Sequence, residues 1–268
     1  MISLCIAGTR IAQQRVMVDK SLRGNYQKKP IPTLEANKFG PSSVSILKTA
    51  DLTAEEDDVG ITRYDDQSNA AMQNRIYLFE DGTIGVTWIF GMLDGDGFSD
   101  RGAGYNYFDG NAWGEAPDAR VEDERCGWPS YGPWGENGEV IVTHTGADGY
   151  KISKRTEKGA GEWEFTIFPG PPDHEYTIWN RSITSGIDHN RLHVLSLTAP
   201  TAYAGTVYEG LDGALTYSHS DDGGESWEVE HELLEGMTDD DYFGFNSDNY
   251  SWAEPRLSLI HISEPTRR

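Results

Sequence analysis

The chain is poor in the residues that would make a covalent staple, a membrane span or a cationic surface. It has two cysteines, Cys5 and Cys126, which lie far apart, so no disulfide framework is implied. No apolar run approaches the ~20 residues that a membrane helix needs, so no membrane span is expected. Basic residues are scarce: 22 Lys and Arg stand against 44 Asp and Glu, for a formal charge of −22. Such a surface repels nucleic acid and anionic lipid, and reads as the strongly hydrated exterior of an exported or salt-exposed protein. The sequence also lacks a phosphate-binding glycine loop, a nucleophile-elbow serine and paired zinc cysteines. A long helix-period pattern is missing too, which argues against a helical bundle.

What is present points to β-structure. Thirty glycines, eight tryptophans and thirteen tyrosines accompany short alternating segments, the composition of an all-β chain with many turns. Three segments share one internal order of turn, buried strand, variable loop and polar hairpin closing on tryptophan. The first runs from Asp81-Gly82 through TIGVTWIF, where Ile84, Val86 and Trp88 alternate with small or polar residues, to GYNYFDGNAW and Trp113. The second runs from Asn137-Gly138 through EVIVTHT to Trp163, and the third from His189-Asn190 through RLHVLSL to Trp227. Units of about 50 residues with three or four strands each are what propeller blades look like. The expected fold is therefore an all-β, incomplete β-propeller with about three visible blades and part of a fourth.

The best-formed motif is Ser220-Asp-Asp222-Gly-Gly224-Glu-Ser226-Trp227, which fits S-x-D-x-G-x-[ST]-W at every position. Asp222 is expected to accept backbone N–H bonds within the turn, Gly224 to take positive φ, and Trp227 to cover the turn. Two looser copies lie upstream at Tyr107–Trp113 and Ser153–Trp163. On these residues the chain resembles the sialidase-like Asp-box (BNR repeat) β-propellers, over roughly residues 73–240, and in texture the secreted bacterial propellers exported by type IX secretion. The resemblance implies six blades, an extracellular or cell-surface location, and structural rim positions for Ser220, Asp222, Gly224 and Trp227. The expected organisation is a poorly patterned leader over 1–40, with MISLCIAG compatible with a clipped signal peptide, and a partial propeller over 41–256. Residues 257–268, LSLIHISEPTRR, match the translation of a transposase-type sequencing adapter, so natural sequence is expected to stop near Arg256.

Sialidases grip a substrate carboxylate with three arginines, because the planar guanidinium fork binds carboxylate bidentately. Arg75, Arg125 and Arg181 recur near the expected starts of inner strands and are the candidate ligand-binding residues, joined by Trp128 and Trp179 as ring-stacking surfaces. Asp65, in Arg63-Tyr64-Asp65-Asp66, is the candidate acid/base. No metal site and no cofactor are expected; calcium is the one ion considered, because Asp94-Gly-Asp96-Gly-Phe-Ser-Asp100 resembles a calcium loop without the twelfth-position Glu of an EF-hand. The functional expectation is recognition of a glycan or surface partner without demonstrated catalysis, the alternative being an exo-sialidase-type glycoside hydrolase.

Overall fold

A computed structural model describes residues 56–68, 73–93, 95, 97–146 and 148–245 of the chain. The leader over 1–40, the boundary near 256, the segment 257–268, Cys5, Asp94, Asp96 and Trp252 lie outside the described residues. Within them the chain is all-β, apart from a single 3-10 turn at Thr201–Tyr203.

Eleven described strands form three antiparallel sheets. In the first, β1 (Ile76–Leu78), β2 (Ile84–Phe90) and β3 (Gly102–Phe108) pair in chain order. The second holds β4 (Gly127–Trp134), β5 (Gly138–His144), β6 (Tyr150–Arg155) and β7 (Glu164–Phe168), again in order. The third is β8 (Thr177–Ser185), β9 (Arg191–Thr198), β10 (Leu215–Ser220) and β11 (Val229–Leu233). Each strand hydrogen-bonds to the next in sequence, which a short turn permits only between antiparallel neighbours. Three up-and-down sheets packed face against face are consistent with part of a propeller.

The second sheet lies between the other two, and its sequence shows why. All seven residues of β5 are buried, as a strand covered on both faces requires. Val140, Val142, Tyr150, Ile152 and Phe168 pack against Leu192 and Val194 of the third sheet. Tyr131 and Ile141 pack against Ala103 of the first. Between the first and second sheets sits Glu139, fully buried, whose carboxylate accepts the hydroxyls of Tyr105 (2.9 Å) and Tyr131 (2.5 Å), the Nε–H of Arg155 (2.5 Å) and the N–H of Gly159 (3.1 Å). Removing any one donor leaves a buried charge short of a partner, which makes this cluster a strong structural constraint. Burial, reinforced by the Glu139 charge, pushes both phenols above their ordinary range.

The face of β2 differs from the sequence expectation. Ile84, Val86 and Trp88 are only half-buried, whereas Gly85, Thr87 and Ile89 form the buried side. The cause is Gly85: a Cβ there would overlap the Tyr131 ring, so the glycine marks the face where the second sheet comes closest. The Trp88 ring fills the space over Gly60 and Gly104 on the opposite side in the same way.

Candidate functional site

Two inner strands carry the same backbone defect. In β4 the register with β5 shifts between Gly127 and Ser130, and in β8 the register with β9 shifts between Ile178 and Arg181. Each shift is a bulge whose first residue is a tryptophan in the left-handed region, Trp128 at φ 53° and Trp179 at φ 51°. A large residue with positive φ is strained backbone, and bulges of this kind re-aim side chains at one end of a strand. Here they gather charge.

His144, at the end of β5, is the centre of the gathering. Its Nδ1 accepts the Trp179 N–H at 2.9 Å, which leaves the ring proton on Nε2. The ring stacks on Trp128 with centroids 5.2 Å apart. Burial, followed by the charges of Arg101, Arg125 and Arg181, holds its pKa at about 3, so the imidazole is neutral at physiological pH. Arg101 lies over the rings of Tyr64 (5.7 Å) and Trp128 (5.3 Å), and its Nε–H donates to the Cys126 carbonyl at 2.9 Å. Arg125 is exposed and donates to the carbonyls of Gly97 (2.6 Å) and Phe98 (3.1 Å). Arg181 is buried and donates to the carbonyls of Trp179 (3.3 Å) and Asn180 (3.0 Å). Arg75 donates to the side chains of Gln67 (3.0 Å) and Gln73 (3.1 Å). Burial and then the nearby Arg181 charge draw the Arg75 pKa down to about 10, with Asp66 acting in the opposite sense.

Arg75, Arg125 and Arg181 are thus brought into one neighbourhood together with Trp128 and Trp179. Their sequence intervals are not a repeat register, however. Arg125 precedes the β4 bulge, whereas Arg181 follows the β8 bulge, at the place Ser130 occupies in β4. Asp65 is solvent-exposed, and the carboxylate that acts on Arg75 is that of its neighbour Asp66. Arg101, His144 and Tyr64 belong to the cluster without having been singled out in the sequence. The one signal that could have found His144 is its position as an imidazole ending the apolar run GEVIVTH. Chemically, several guanidiniums around a neutral imidazole are groups able to donate to an anion, and the neighbouring aromatic side chains are groups able to stack on a ring.

The Ser220–Trp227 turn lies at the far end of β10, away from the bulges. Asp222 Oδ1 accepts the N–H groups of Glu225 (3.0 Å) and Ser226 (2.8 Å) and the Ser220 hydroxyl (2.7 Å), while Oδ2 accepts the Ser226 hydroxyl (2.6 Å). Gly224 has φ 93°, and its N–H donates to the Ser220 hydroxyl oxygen at 2.7 Å. Trp227 stacks on Phe168 of the second sheet with centroids 3.6 Å apart. Against the upward push of desolvation, these donors hold the Asp222 carboxyl at about 2. Every oxygen of that carboxylate is committed to the turn.

Of the calcium-loop residues, Asp100 is described, and its carboxylate accepts the N–H groups of Met92 (2.8 Å) and Leu93 (3.1 Å). Cys126 is a buried free thiol, pushed up to about 12 by burial. Among the described residues no helix is long and apolar enough to cross a membrane.

No family model and no curated protein matches the chain. Among solved structures it is similar to a protein of unknown function from Dyadobacter fermentans DSM 18053, with 12% identity and a TM-score of 0.44 over 63% of this chain and 56% of that one. It is also similar to a Bacteroides ovatus protein titled "Xyloglucan PUL GH43B", with 11% identity and a TM-score of 0.37 over 64% of this chain and 33% of that one. The chain therefore spans about half of the first structure and a third of the second.

Proposed function

We propose that the chain is part of a secreted or cell-surface, sialidase-like propeller, six-bladed when complete and occupying 41–256 here, that recognises anionic glycans. The observation that carries this reading is the convergence of Arg101, Arg125 and Arg181 around neutral His144, with Arg75 beside Arg181, in a protein of net charge −22. Confining like charges in one partly buried neighbourhood is costly, and an acidic ligand offsets that cost. Half-buried Tyr64, beside Arg101, supplies the aromatic surface on which a sugar ring can lie, while Trp128 is buried against His144 and Arg101 and holds the cluster in place. The Ser220–Trp227 match supports the family resemblance, and the commitment of Asp222 to its turn supports a structural role for that motif.

A sialidase-type hydrolase is the second reading, favoured by Tyr64 and Asp66 standing beside Arg101 and Arg75 respectively. Hydrolysis needs a pair of carboxylates, or a carboxylate and an activated nucleophile, flanking the glycosidic bond. Titration of the protein with 3′-sialyllactose and with lactose tests the first reading. Binding of the acidic sugar should be at least tenfold tighter, about 1.4 kcal/mol, and the preference should vanish in Arg125→Ala. Equal affinity for the two sugars would overturn it. Release of fluorophore from a sialoside substrate, lost in Arg75→Ala, would establish the hydrolase instead.

A further inference from the structure

A cavity of about 410 Å³ opens between the first and second sheets, at the end opposite the arginine cluster. It lies beside the end of β3 and the turn that follows it, and Tyr105, Tyr107, Trp113, Asp109, Glu115 and Arg155 line it. The volume falls within the ~300–1,000 Å³ that small-molecule sites occupy. None of the arginines around His144 contributes to it. We propose that this cavity is a saccharide subsite for neutral sugars, separate from the anion site.

The walls are held before any ligand arrives. Arg155 lies between the rings of Tyr105 (4.7 Å) and Trp163 (4.3 Å) and is ion-paired to buried Glu139 at 2.5 Å. The Tyr107 ring rests on the backbone of Gly159, where φ is 75° and a Cβ would collide with the ring. Trp113 packs against Phe108 with centroids 5.5 Å apart. Asn106 fixes the floor by donating to the carbonyls of Val59 (2.6 Å) and Gly114 (3.1 Å) while accepting the Tyr107 N–H (2.7 Å). Asp109 Oδ1 accepts the N–H groups of Asn111 (2.8 Å) and Ala112 (2.9 Å), which holds the turn closed. Rigid aromatic walls lower the ordering cost of binding.

Charge decides the class of ligand. The Arg155 charge is balanced by Glu139, so Asp109 and Glu115 set the sign of the cavity, and it is negative. An acidic sugar is repelled there. A neutral pyranose presents one face of C–H groups to tyrosine and tryptophan rings and a rim of hydroxyl donors to carboxylates, which matches the aromatic and acidic lining.

The test is calorimetric titration of the full chain with cellobiose, xylobiose, lactose and N,N′-diacetylchitobiose. At least one should bind saturably, with affinity reduced tenfold or more in Trp113→Ala and in Glu115→Ala but unchanged in Arg125→Ala. Glu115 is exposed, so its variant tests the cavity even where Trp113→Ala loosens the fold. The inference is overturned by the absence of saturable binding for all four sugars. It is equally overturned by unchanged affinity in Glu115→Ala together with a folded Trp113→Ala protein, or by binding that disappears in Arg125→Ala, which would put the neutral sugar at the arginine cluster. Failure here is distinguishable from failure of the sialyllactose experiment, because that one turns on the loss of the acidic preference in Arg125→Ala and this one on Trp113→Ala and Glu115→Ala.

Discussion

The start of the inner strands and the Ser220–Trp227 turn handle charge in opposite ways. At the turn, one carboxylate meets four donors from its own loop and is satisfied where it stands. At the bulges, guanidiniums lean on carbonyls, glutamines and aromatic rings, and the Asp66 carboxylate acts on Arg75. The turn closes on itself, whereas the open end of the sheets at the bulges gathers charges of like sign. An open site carries strain in the backbone as well, since Trp128 and Trp179 both have positive φ. Backbone strain beside gathered like charges is a combination that folds carry at functional sites more often than elsewhere.

The largest test of this contrast removes a buried cation. Arg181→Ala should weaken acidic-glycan binding by about 100-fold, roughly the 2–5 kcal/mol that loss of a desolvated charge contact costs a complex. The same substitution relieves repulsion with Arg75 but removes the donor to the Trp179 and Asn180 carbonyls, so the melting temperature should fall by no more than an ordinary large-to-small core change of about 2–5 kcal/mol produces. A collapse in stability with no change in affinity would make Arg181 a packing residue and break the comparison.

Next in size is the acid response of His144. Its folded pKa, about 3, lies below the ordinary histidine value, so between those limits the unfolded chain binds the extra proton. The stabilisation is complete above pH ~6.5 and is lost as pH falls towards 3. Lowering the pH from ~6.5 to ~5 should cost about 2 kcal/mol, from the 1.36 kcal/mol that each pH unit carries for one proton. His231, held at about 4 by burial, acts in the same sense. Denaturant midpoints for wild type and His144→Gln across that window isolate the contribution, because Gln keeps an acceptor for the Trp179 N–H but does not titrate. Parallel pH profiles for the two proteins would show that His144 is not held neutral by its arginines.

The strands were legible because period-2 alternation and glycine-rich turns report the backbone directly. EVIVTHT and RLHVLSL read as buried strands and are β5 and β9. The face of β2 was not legible, since Gly85 carries no hydrophobic signal and its burial comes from a tyrosine in another sheet. The bulges were equally silent. Positive φ is announced in sequence by glycine or asparagine, whereas here tryptophan adopts it under tertiary constraint. Arg75, Arg125 and Arg181 could be named because they recur near the expected starts of strands and the family resemblance calls for three arginines. Arg101 could not, because it joins the cluster through contacts across sheets, and His144 is marked only by its place at the end of the apolar run GEVIVTH.

The smallest effect belongs to the turn. Asp222→Ala removes one acceptor group serving four donors, but the residue is exposed and water replaces part of what is lost. The expected cost is about 1–2 kcal/mol, read as a lower melting temperature, with no change in the affinity for acidic or neutral sugars. The carboxyl sits at about 2, below its ordinary value, so its contribution is present above pH ~3.8 and is lost as pH falls from there towards 2. Asp222→Asn separates charge from geometry: it keeps the acceptor oxygen for the Glu225 and Ser226 N–H groups but cannot accept the Ser226 hydroxyl at its second atom. It should therefore lie between wild type and Asp222→Ala in stability and lose the acid-sensitive component. If either variant instead lowered sugar affinity while melting normally, the turn would be part of a binding surface, and the division between a closed end and an open end of the sheets would fail.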